Sequence, residues 1–508
     1  MPLSDILPRK KHSEVTKLIS SLSRRNSASL KKEEEKHSLA LFHAMAKRVP
    51  AYRDFLSRNG INPESITTYS DFLKVPPTTK ENYIKQYSLA ELSWDGEVDA
   101  IMLSTSSGSS GEPQFWPRGN KLETETSHIY EILFREFFEL ESKKTLVINA
   151  YSMGLYVAGT FTLNSCITIG KKGYPLTVIT PGINKDDVLK IVAKIGSSFD
   201  QVVLCAYPPL AKDIIDEGKA LGINWEDYHM RFISGGEAYS EKWRNHLYKS
   251  AGVPGDRYLT SSVNTYGSAD AAILGHETPL SILIRKLASD DKNLCKALFG
   301  RVTVPSFHQY YPFWKQVSTT DEGELCFTAD AGLPLLRYNI EDRGGTYTHR
   351  EIMAILKKHG YSEESIVSQL PRKSLNWKLP FVYLFGRTNA AATIYGLNIY
   401  PENIKAALEH DEVFPHVSGK FLLATEYNRS QDQYLSLKLE LKKDANLDRK
   451  TLTRIRRIIY ETIREMNAEF KVLSDTFPKR AKPRVKFHTY AHPKHFPSRI
   501  KVQYVKKP

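Results

Sequence analysis

Apolar and polar positions change period along this chain, and the changes outline its elements. Between residues 36 and 100, Leu39, Leu41, Phe42, Met45 and Val49 fall at helical spacing, with prolines marking short loops. Residues 1–35 are polar and run into a Lys-Lys-Glu-Glu-Glu-Lys stretch, which predicts a helical or frayed lead-in carrying no site. From 145 to 345, apolar runs at 145–149, 176–180, 201–206 and 231–234 alternate with helical stretches. That alternation predicts βαβ units and a mostly parallel sheet with helices on both faces. Sites in such sheets lie at strand C-terminal ends.

The pattern changes after Gly386. A helix is predicted at 402–409 and strands at 421–425, 434–442 and 484–488; the stretch at 434–442 alternates as a half-buried strand does. Leu452, Ile455, Ile459, Ile463, Met466 and Phe470 share one helical face. These elements predict a small α+β domain over 387–508, following a large domain over 1–386.

Composition narrows the class. A chain of 508 residues, 41% hydrophobic, exceeds one ordinary domain. No apolar stretch approaches the roughly 18–20 residues that span a bilayer, and the N-terminus lacks the apolar core of a secretory signal. Cys166, Cys205, Cys295 and Cys326 are far apart, in neither a metal-ligand spacing nor a disulfide framework, so a reduced, cytoplasmic setting is expected. The net charge is +14, and residues 476–508 hold ten Lys or Arg and no acid. Basic charge raises nucleic acid or anionic membranes as partners, but no recognised module with base-stacking aromatics is present, so no nucleic acid is expected. His488, His492 and His495 lie together on a Pro-rich segment. With no Cys or carboxylate at metal spacing, the expectation there is no metal.

The most informative stretch is Ser104-Thr-Ser-Ser-Gly-Ser-Ser-Gly-Glu-Pro113, which follows an apolar run. Glycines let backbone approach a ligand closely, and N–H and hydroxyl donors can meet phosphate oxygens. No lysine closes it as in a P-loop. By itself this composition suits a flexible linker equally well.

Four further stretches follow in order: Ile233-Ser-Gly-Gly-Glu-Ala238, Asn264-Thr-Tyr-Gly-Ser-Ala-Asp270, Leu336-Arg-Tyr-Asn-Ile-Glu-Asp-Arg343, and Gly386-Arg-Thr-Asn389 leading to Tyr395-Gly-Leu-Asn-Ile-Tyr-Pro-Glu-Asn-Ile404. With the Ser/Gly loop, this order resembles the adenylate-forming enzymes, in particular the phenylacetate–CoA ligase and CapK-like branch. Val49-Pro-Ala-Tyr-Arg-Asp54 and Val75-Pro-Pro-Thr-Thr-Lys-Glu81 look like that branch too. The resemblance implies an α/β fold: a large N-terminal adenylate-forming domain with mostly parallel sheets and flanking helices, plus a small mobile C-terminal α+β domain.

It also implies roles. Ser104, Thr105, Ser106, Ser107, Gly108, Ser109, Ser110 and Gly111 would hold ATP phosphates. Gly235, Gly236 and Glu237 would border adenine, and Tyr266 with Gly267 and Ser268 would line the site. Asp342 would accept the ribose hydroxyls, where the bland alternative is a loop carboxylate paired with Arg337 or Arg343. Asp270, standing where relatives carry Glu, would be catalytic as the Mg2+ ligand. Arg387 would contact ribose or phosphate, Asn389 would serve as hinge, and Lys501 would offset charge growing on the α-phosphate. Departures at Glu112, Asp270, Asn389 and Tyr504 mark a divergent member.

The implied activity is ATP-dependent activation of a small carboxylic acid, aromatic by resemblance, to an acyl-AMP. Transfer to a thiol follows, CoA first among acceptors because the basic tail suits its phosphates. The alternatives are amide formation, transfer to a protein, and a non-catalytic binding protein on the same fold.

Overall fold

The computed structural model describes residues 13–106, 114–387, 392–443 and 445–496. Among these the strands are β1 (Met102–Ser106), β2 (Gln114–Arg118), β3 (Thr145–Asn149), β4 (Leu176–Ile179), β5 (Gln201–Cys205), β6 (Arg231–Gly235), β7 (Ser262–Ser268), β8 (Ala272–His276), β9 (Ser306–Gln309), β10 (Lys315–Thr319), β11 (Glu324–Ala331), β12 (Leu333–Tyr347), β13 (Phe381–Arg387), β14 (Ala392–Ile394), β15 (Leu397–Ile399), β16 (Val417–Tyr427), β17 (Gln433–Leu441) and β18 (Arg484–His488). Two compact units emerge. One takes in residues up to 106, 115–206 and 214–386; the other includes 207–213 and the residues from 387 on.

The first unit is built on an eleven-stranded sheet of order β10-β11-β12-β13-β9-β8-β7-β6-β5-β3-β4. The α/β class expected from the sequence holds. β4, β3, β5, β6 and β7 pair in parallel, and helices follow β3, β4, β5 and β6 in the chain. β3 and β5 are buried along their whole length. That explains why they read as continuous apolar runs rather than as alternation. Beyond β7, the pairs β7–β8, β8–β9, β9–β13, β12–β11 and β11–β10 are antiparallel. The Ser/Gly loop leaves a separate two-stranded ribbon, β1–β2, and not the main sheet.

The N-terminal region does more than the sequence suggested. Helices Ser13–Leu22 and Ser27–Arg48 bury Val15, Leu22 and Leu30. The longer helix lays Phe42 and Met45 into the same core cluster as Leu335, Leu336 and Tyr338 of β12. Glu34, from the expected lead-in, is buried and accepts a hydrogen bond from the Tyr310 hydroxyl at 2.9 Å. The four cysteines are buried free thiols. Among the described residues, no helix is long and apolar enough to cross a membrane.

In the second unit β16, β17 and β18 form a three-stranded sheet, β18 pairing in parallel with β17. Phe421, Leu423, Leu435, Leu437 and Leu439 pack its core with Ile455, Ile459 and Ile463. The single helical face read over 452–470 is two helices, Arg449–Met466 and Ala468–Thr476. They break at Asn467, whose side chain caps the second by accepting from the Phe470 N–H. The segment 395–404 is a hairpin and a helix start. Tyr395 and Gly396 turn between β14 and β15 at φ 50° and 81°. Pro401 begins the next helix, and the Asn403 side chain accepts from the Tyr400 N–H at 3.0 Å. Beyond β18, His488 meets the rings of His492 and His495; burial, then those rings, push it down to about 4.

Burial pushes the Glu34 carboxyl up to about 7, against hydrogen bonds from Tyr310 and the Val317 backbone that lower it. A raised carboxyl stabilises the fold while protonated. The stability it contributes is full below about 4.5 and is lost as pH rises through about 7. In Glu34→Gln that loss is absent. The stability of this variant relative to wild type, from urea denaturation, rises by about 3 kcal/mol between pH 4 and pH 8.

Candidate active site

The site is anchored by one buried carboxylate. Glu277, just past β8, has no exposed surface. It accepts from Arg244 at 2.6 Å, from Arg285, and from the Asn264 N–H at 2.8 Å. Burial alone would raise its pKa, but the two guanidiniums and the backbone donor hold it below the usual carboxylate range. Arg244 rides on the helix Glu241–Ser250 and Arg285 on the helix Pro279–Asp290. Arg285 also donates to the Tyr239 carbonyl at 2.6 Å. One ionised group thereby ties β7 to two helices.

The Asn264 side chain passes this order on. Its amide donates to the Glu237 carbonyl at 3.0 Å, and its carbonyl lies 3.3 Å from His308 Nε2. The turn at 235–237 follows β6. There Gly235 faces Thr265 so closely that a Cβ would sit 2.6 Å from the threonine hydroxyl, which only glycine permits. Gly236 has φ 78° and Glu237 is buried.

His308 is buried on β9. Burial first, then Arg285, His276 and Arg244, hold it well below the usual imidazole value, hence neutral. The Tyr266 ring stacks on it, centroids 5.9 Å apart. The Tyr266 hydroxyl donates to Asp342 Oδ2 at 2.8 Å. Three strands lie between β7 and β12 in the sheet order. Four spacings of about 4.8 Å would hold them about 19 Å apart in a flat sheet. The contact therefore requires a curled sheet and a bent β12.

β12 supplies the bend. Arg337 and Glu341 take φ 44° and 66°, and its register against β11 shifts twice. The Glu341 N–H donates to Asn339 Oδ1 at 2.7 Å. Positive φ at such residues persists only where neighbours over-determine it. Here the Val75-Pro-Pro-Thr segment does so. Thr78 Oγ1 donates to the Leu336 carbonyl at 2.9 Å, and the Asn339 N–H donates to the Thr78 carbonyl at 2.8 Å. The Arg337 guanidinium donates to the carbonyls of Leu73 and Val75. Arg337 is thus engaged elsewhere than as a partner held for Asp342.

The β7–β8 hairpin carries the remaining oxygen donors. Gly267 lies in β7, and Asp270 is buried in the connecting turn, before Ala272 at φ 55°. Ser268 Oγ is buried with no hydrogen-bond partner among the described residues. Two oxygen ligands on one short hairpin, one of them unpartnered, form a donor set that fits a hard cation such as Mg2+.

At the ribbon, Ser104 and Thr105 are buried. Ser104 Oγ accepts from Arg118 at 3.1 Å, and the same guanidinium donates to Thr160 Oγ1 and lies 3.6 Å over the Phe161 ring. The Thr105 N–H donates to the Leu155 carbonyl at 3.1 Å. These contacts make the pair the base from which the Ser/Gly loop springs. Ser106 ends β1. Ser107, Gly108, Ser109, Ser110 and Gly111 lie outside the described residues, as do Asn389 and Lys501; Arg387 ends β13, its side chain likewise not described. Gly235, Gly236, Glu237, Tyr266, Gly267, Ser268, Asp270 and Asp342 all fall in the first unit. Tyr266 and Asp342 meet directly, and the 235–237 turn reaches them through Asn264 and His308.

Sequence reasoning missed His308, Glu277 and Arg118. The available signal was a charged or imidazole side chain inside an apolar strand or at its end, as in Ser306-Phe-His-Gln309 and Trp116-Pro-Arg118. Such residues are almost never fully buried without partners.

This is the fold of the adenylate-forming enzymes, and the resemblance read from the order of the motifs holds. No family model matches the chain. Among curated proteins the chain is similar to the phenylacetate–coenzyme A ligase of Thermus thermophilus, 23% identical over 406 residues, covering 78% of this chain and 79% of that one. Among solved structures it is similar to a 2-hydroxyisobutyryl-CoA ligase in complex with 2-HIB-AMP and CoA in the thioesterification state. The TM-score is 0.62 at 14% identity, over 94% of this chain and 90% of that one. A postadenylation state of the same ligase with 2-HIB-AMP matches at a TM-score of 0.51 and 13% identity, over 93% and 87%.

Removing one partner of a buried ion group leaves uncompensated charge. Glu277→Ala strands Arg244 and Arg285 and lowers stability by about 3–5 kcal/mol, read as an earlier urea midpoint. A variant with an unchanged midpoint contradicts the anchoring role.

Proposed function

We propose that this protein activates a small carboxylic acid with ATP and transfers the acyl group to a thiol, CoA being the acceptor its relatives favour. The carrying observation is the Tyr266–Asp342 hydrogen bond, which joins two motif residues 76 positions apart at one point of the first unit. The similarity to an acid–CoA ligase over most of both chains supports the same reading.

The chemistry follows from what a carboxylate lacks. It is a poor electrophile, so its oxygen first attacks the α-phosphorus of ATP and pyrophosphate leaves. The thiol sulfur then attacks the acyl carbon, and AMP departs with the electron pair. Asp342, steadied by Tyr266, accepts hydrogen bonds from the ribose hydroxyls; an ionised carboxylate offers about four lone-pair sites, of which the tyrosine takes one. The 235–237 turn borders the base, its position set by Asn264. Ser106, Ser107, Gly108, Ser109, Ser110 and Gly111 meet the phosphates from a loop rooted at Ser104 and Thr105. Asp270 and Ser268 hold Mg2+, which when bound neutralises phosphate charge. Arg387 contacts ribose or phosphate, Asn389 is the pivot, and Lys501 stabilises charge on the α-phosphate.

A pyrophosphate-release screen of carboxylic acids, crossed with CoA and with amines, tests the proposal. Release with an aromatic or other small acid, and thioester only when CoA is present, is the expected result. Hydroxamate formation with hydroxylamine but no thioester would move the acceptor to an amine or a protein. No release with any acid, from folded protein that binds ATP, would overturn the enzymatic reading.

Asp342→Ala weakens ATP binding by about 10- to 100-fold, the worth of charge-assisted hydrogen bonds, with the circular-dichroism spectrum retained. Equal ATP affinity by calorimetry rejects the assignment. Lys501→Ala slows pyrophosphate release while sparing thioester formation from supplied acyl-AMP; an equal loss in both half-reactions rejects the role of Lys501.

A further inference from the structure

A second cluster contains none of the residues assigned above. His488 ends β18, and the chain turns through Tyr490 and Ala491 into a tight turn from His492 to Phe496. The turn is closed by the Phe496 N–H donating to the His492 carbonyl at 2.7 Å. It brings the three imidazoles together, with ring centroids 4.9 Å apart for His488 and His492, 4.5 Å for His488 and His495, and 5.0 Å for His492 and His495. One ring nitrogen from each falls in a group whose members all lie within 4.8 Å of one another.

Two facts argue against ordinary packing. His488 Nε2 and His492 Nδ1 are buried and have no hydrogen-bond partner among the described residues. A buried nitrogen without a partner costs about 1–3 kcal/mol, and both rings belong to the one group of three. The surrounding chain is also held in place. Ala491 takes φ 53°, its N–H donating at 2.8 Å to Glu440 Oε1, and the Glu440 carboxylate is fully buried and accepts from Ser418 as well. Phe496 is buried beside His488.

We propose that His488, His492 and His495 form a binding site for one divalent cation of the zinc class. Neutral imidazoles select zinc and its neighbours in the first transition row, whereas Mg2+ and Ca2+ prefer oxygen. Zinc–nitrogen bonds of about 2.0–2.1 Å set tetrahedral nitrogens about 3.4 Å apart. The imidazoles lie close enough to reach that spacing by small side-chain rotations. Three protein ligands leave the fourth position to water. The spacing His488-x3-His492-x2-His495 needs no carboxylate or cysteine, so the proposal departs from the expectation drawn from the sequence. A bound ion would clip the end of β18 to the turn that follows it. The segment bearing Lys501 begins six residues beyond His495 in the chain.

The test uses the full chain, stripped with chelator and titrated with zinc(II) alone against a chromophoric competitor. One equivalent bound, with at least 100-fold weaker binding in His488→Asn and in His492→Asn, is expected. His43→Asn, at an exposed histidine of the first unit, should bind as wild type does. Cobalt(II) added to unmodified protein should give the intense visible absorption of a tetrahedral site, a readout that does not depend on any variant folding. No saturable equivalent, uptake that survives in His488→Asn, uptake lost in His43→Asn, or only the weak spectrum of hydrated cobalt each overturns the site. None of these outcomes bears on whether the protein adenylates an acid.

Discussion

A carboxylate cut off from water must either give up its charge or be surrounded by donors, and Glu277 is surrounded. Much of the first unit's polar interior follows from that requirement. Its two arginines fix the helices at 241–250 and 279–290, and its bond to the Asn264 N–H fixes β7. Asn264 then positions the 235–237 turn on one side and His308 on the other. His308 supports Tyr266, and Tyr266 reaches Asp342. Each link is short, buried and directional. In such surroundings hydrogen bonds are stronger and their loss is costly. A site that must hold a nucleotide in one geometry gains from a scaffold of this kind, because the order is already present before the ligand arrives.

The same chain of contacts shows why parts of the structure could be read in the sequence and others could not. β3, β5 and β6 were legible because strands buried on both faces must be apolar throughout, and β18 because a short strand between turns stands out. The segment 395–404 was legible because its glycine and proline each answer a local backbone demand, a positive φ at Gly396 and a helix start at Pro401. The antiparallel half of the sheet was not. Its order depends on which distant strands pair, and β13 fits beside β9 from more than 70 positions away. Glu34 looked like part of a solvated charge run, since nothing local announces that Tyr310, 276 residues on, will cover it. The nearness of His488, His492 and His495 in the chain was legible, but spacing alone does not reveal that a turn will bring three rings together.

Motif residues also divide into those that touch chemistry and those that hold others in place. Arg337 belongs to the same stretch as Asp342, and pairing with Arg337 or Arg343 was the bland alternative for that carboxylate. Its guanidinium instead binds the Leu73 and Val75 carbonyls, so it fastens β12 to the Val75-Pro-Pro-Thr segment. That segment is rich in proline, which fixes φ and has no N–H of its own to satisfy. It runs beside the bent strand through Thr78, which bonds Leu336 and Asn339, and through the Val75 carbonyl, so one motif braces the other.

Bracing explains where the polar interior is left incomplete. Both Glu277 oxygens have donors, yet among the described residues Arg285 Nε, and Ser268 Oγ and His308 Nδ1 nearer the far end, are buried without partners. If these atoms were packing accidents, exchange for an apolar side chain would be neutral or stabilising, since a lone buried polar group destabilises the fold. Ser268 shares its hairpin with Asp270, and β7 is so confined there that Gly267 has no room for a side chain against Ala272. Among the described residues nothing completes Ser268, and the cation proposed beside Asp270 would meet both demands at once: oxygen donors for itself and a partner for the serine.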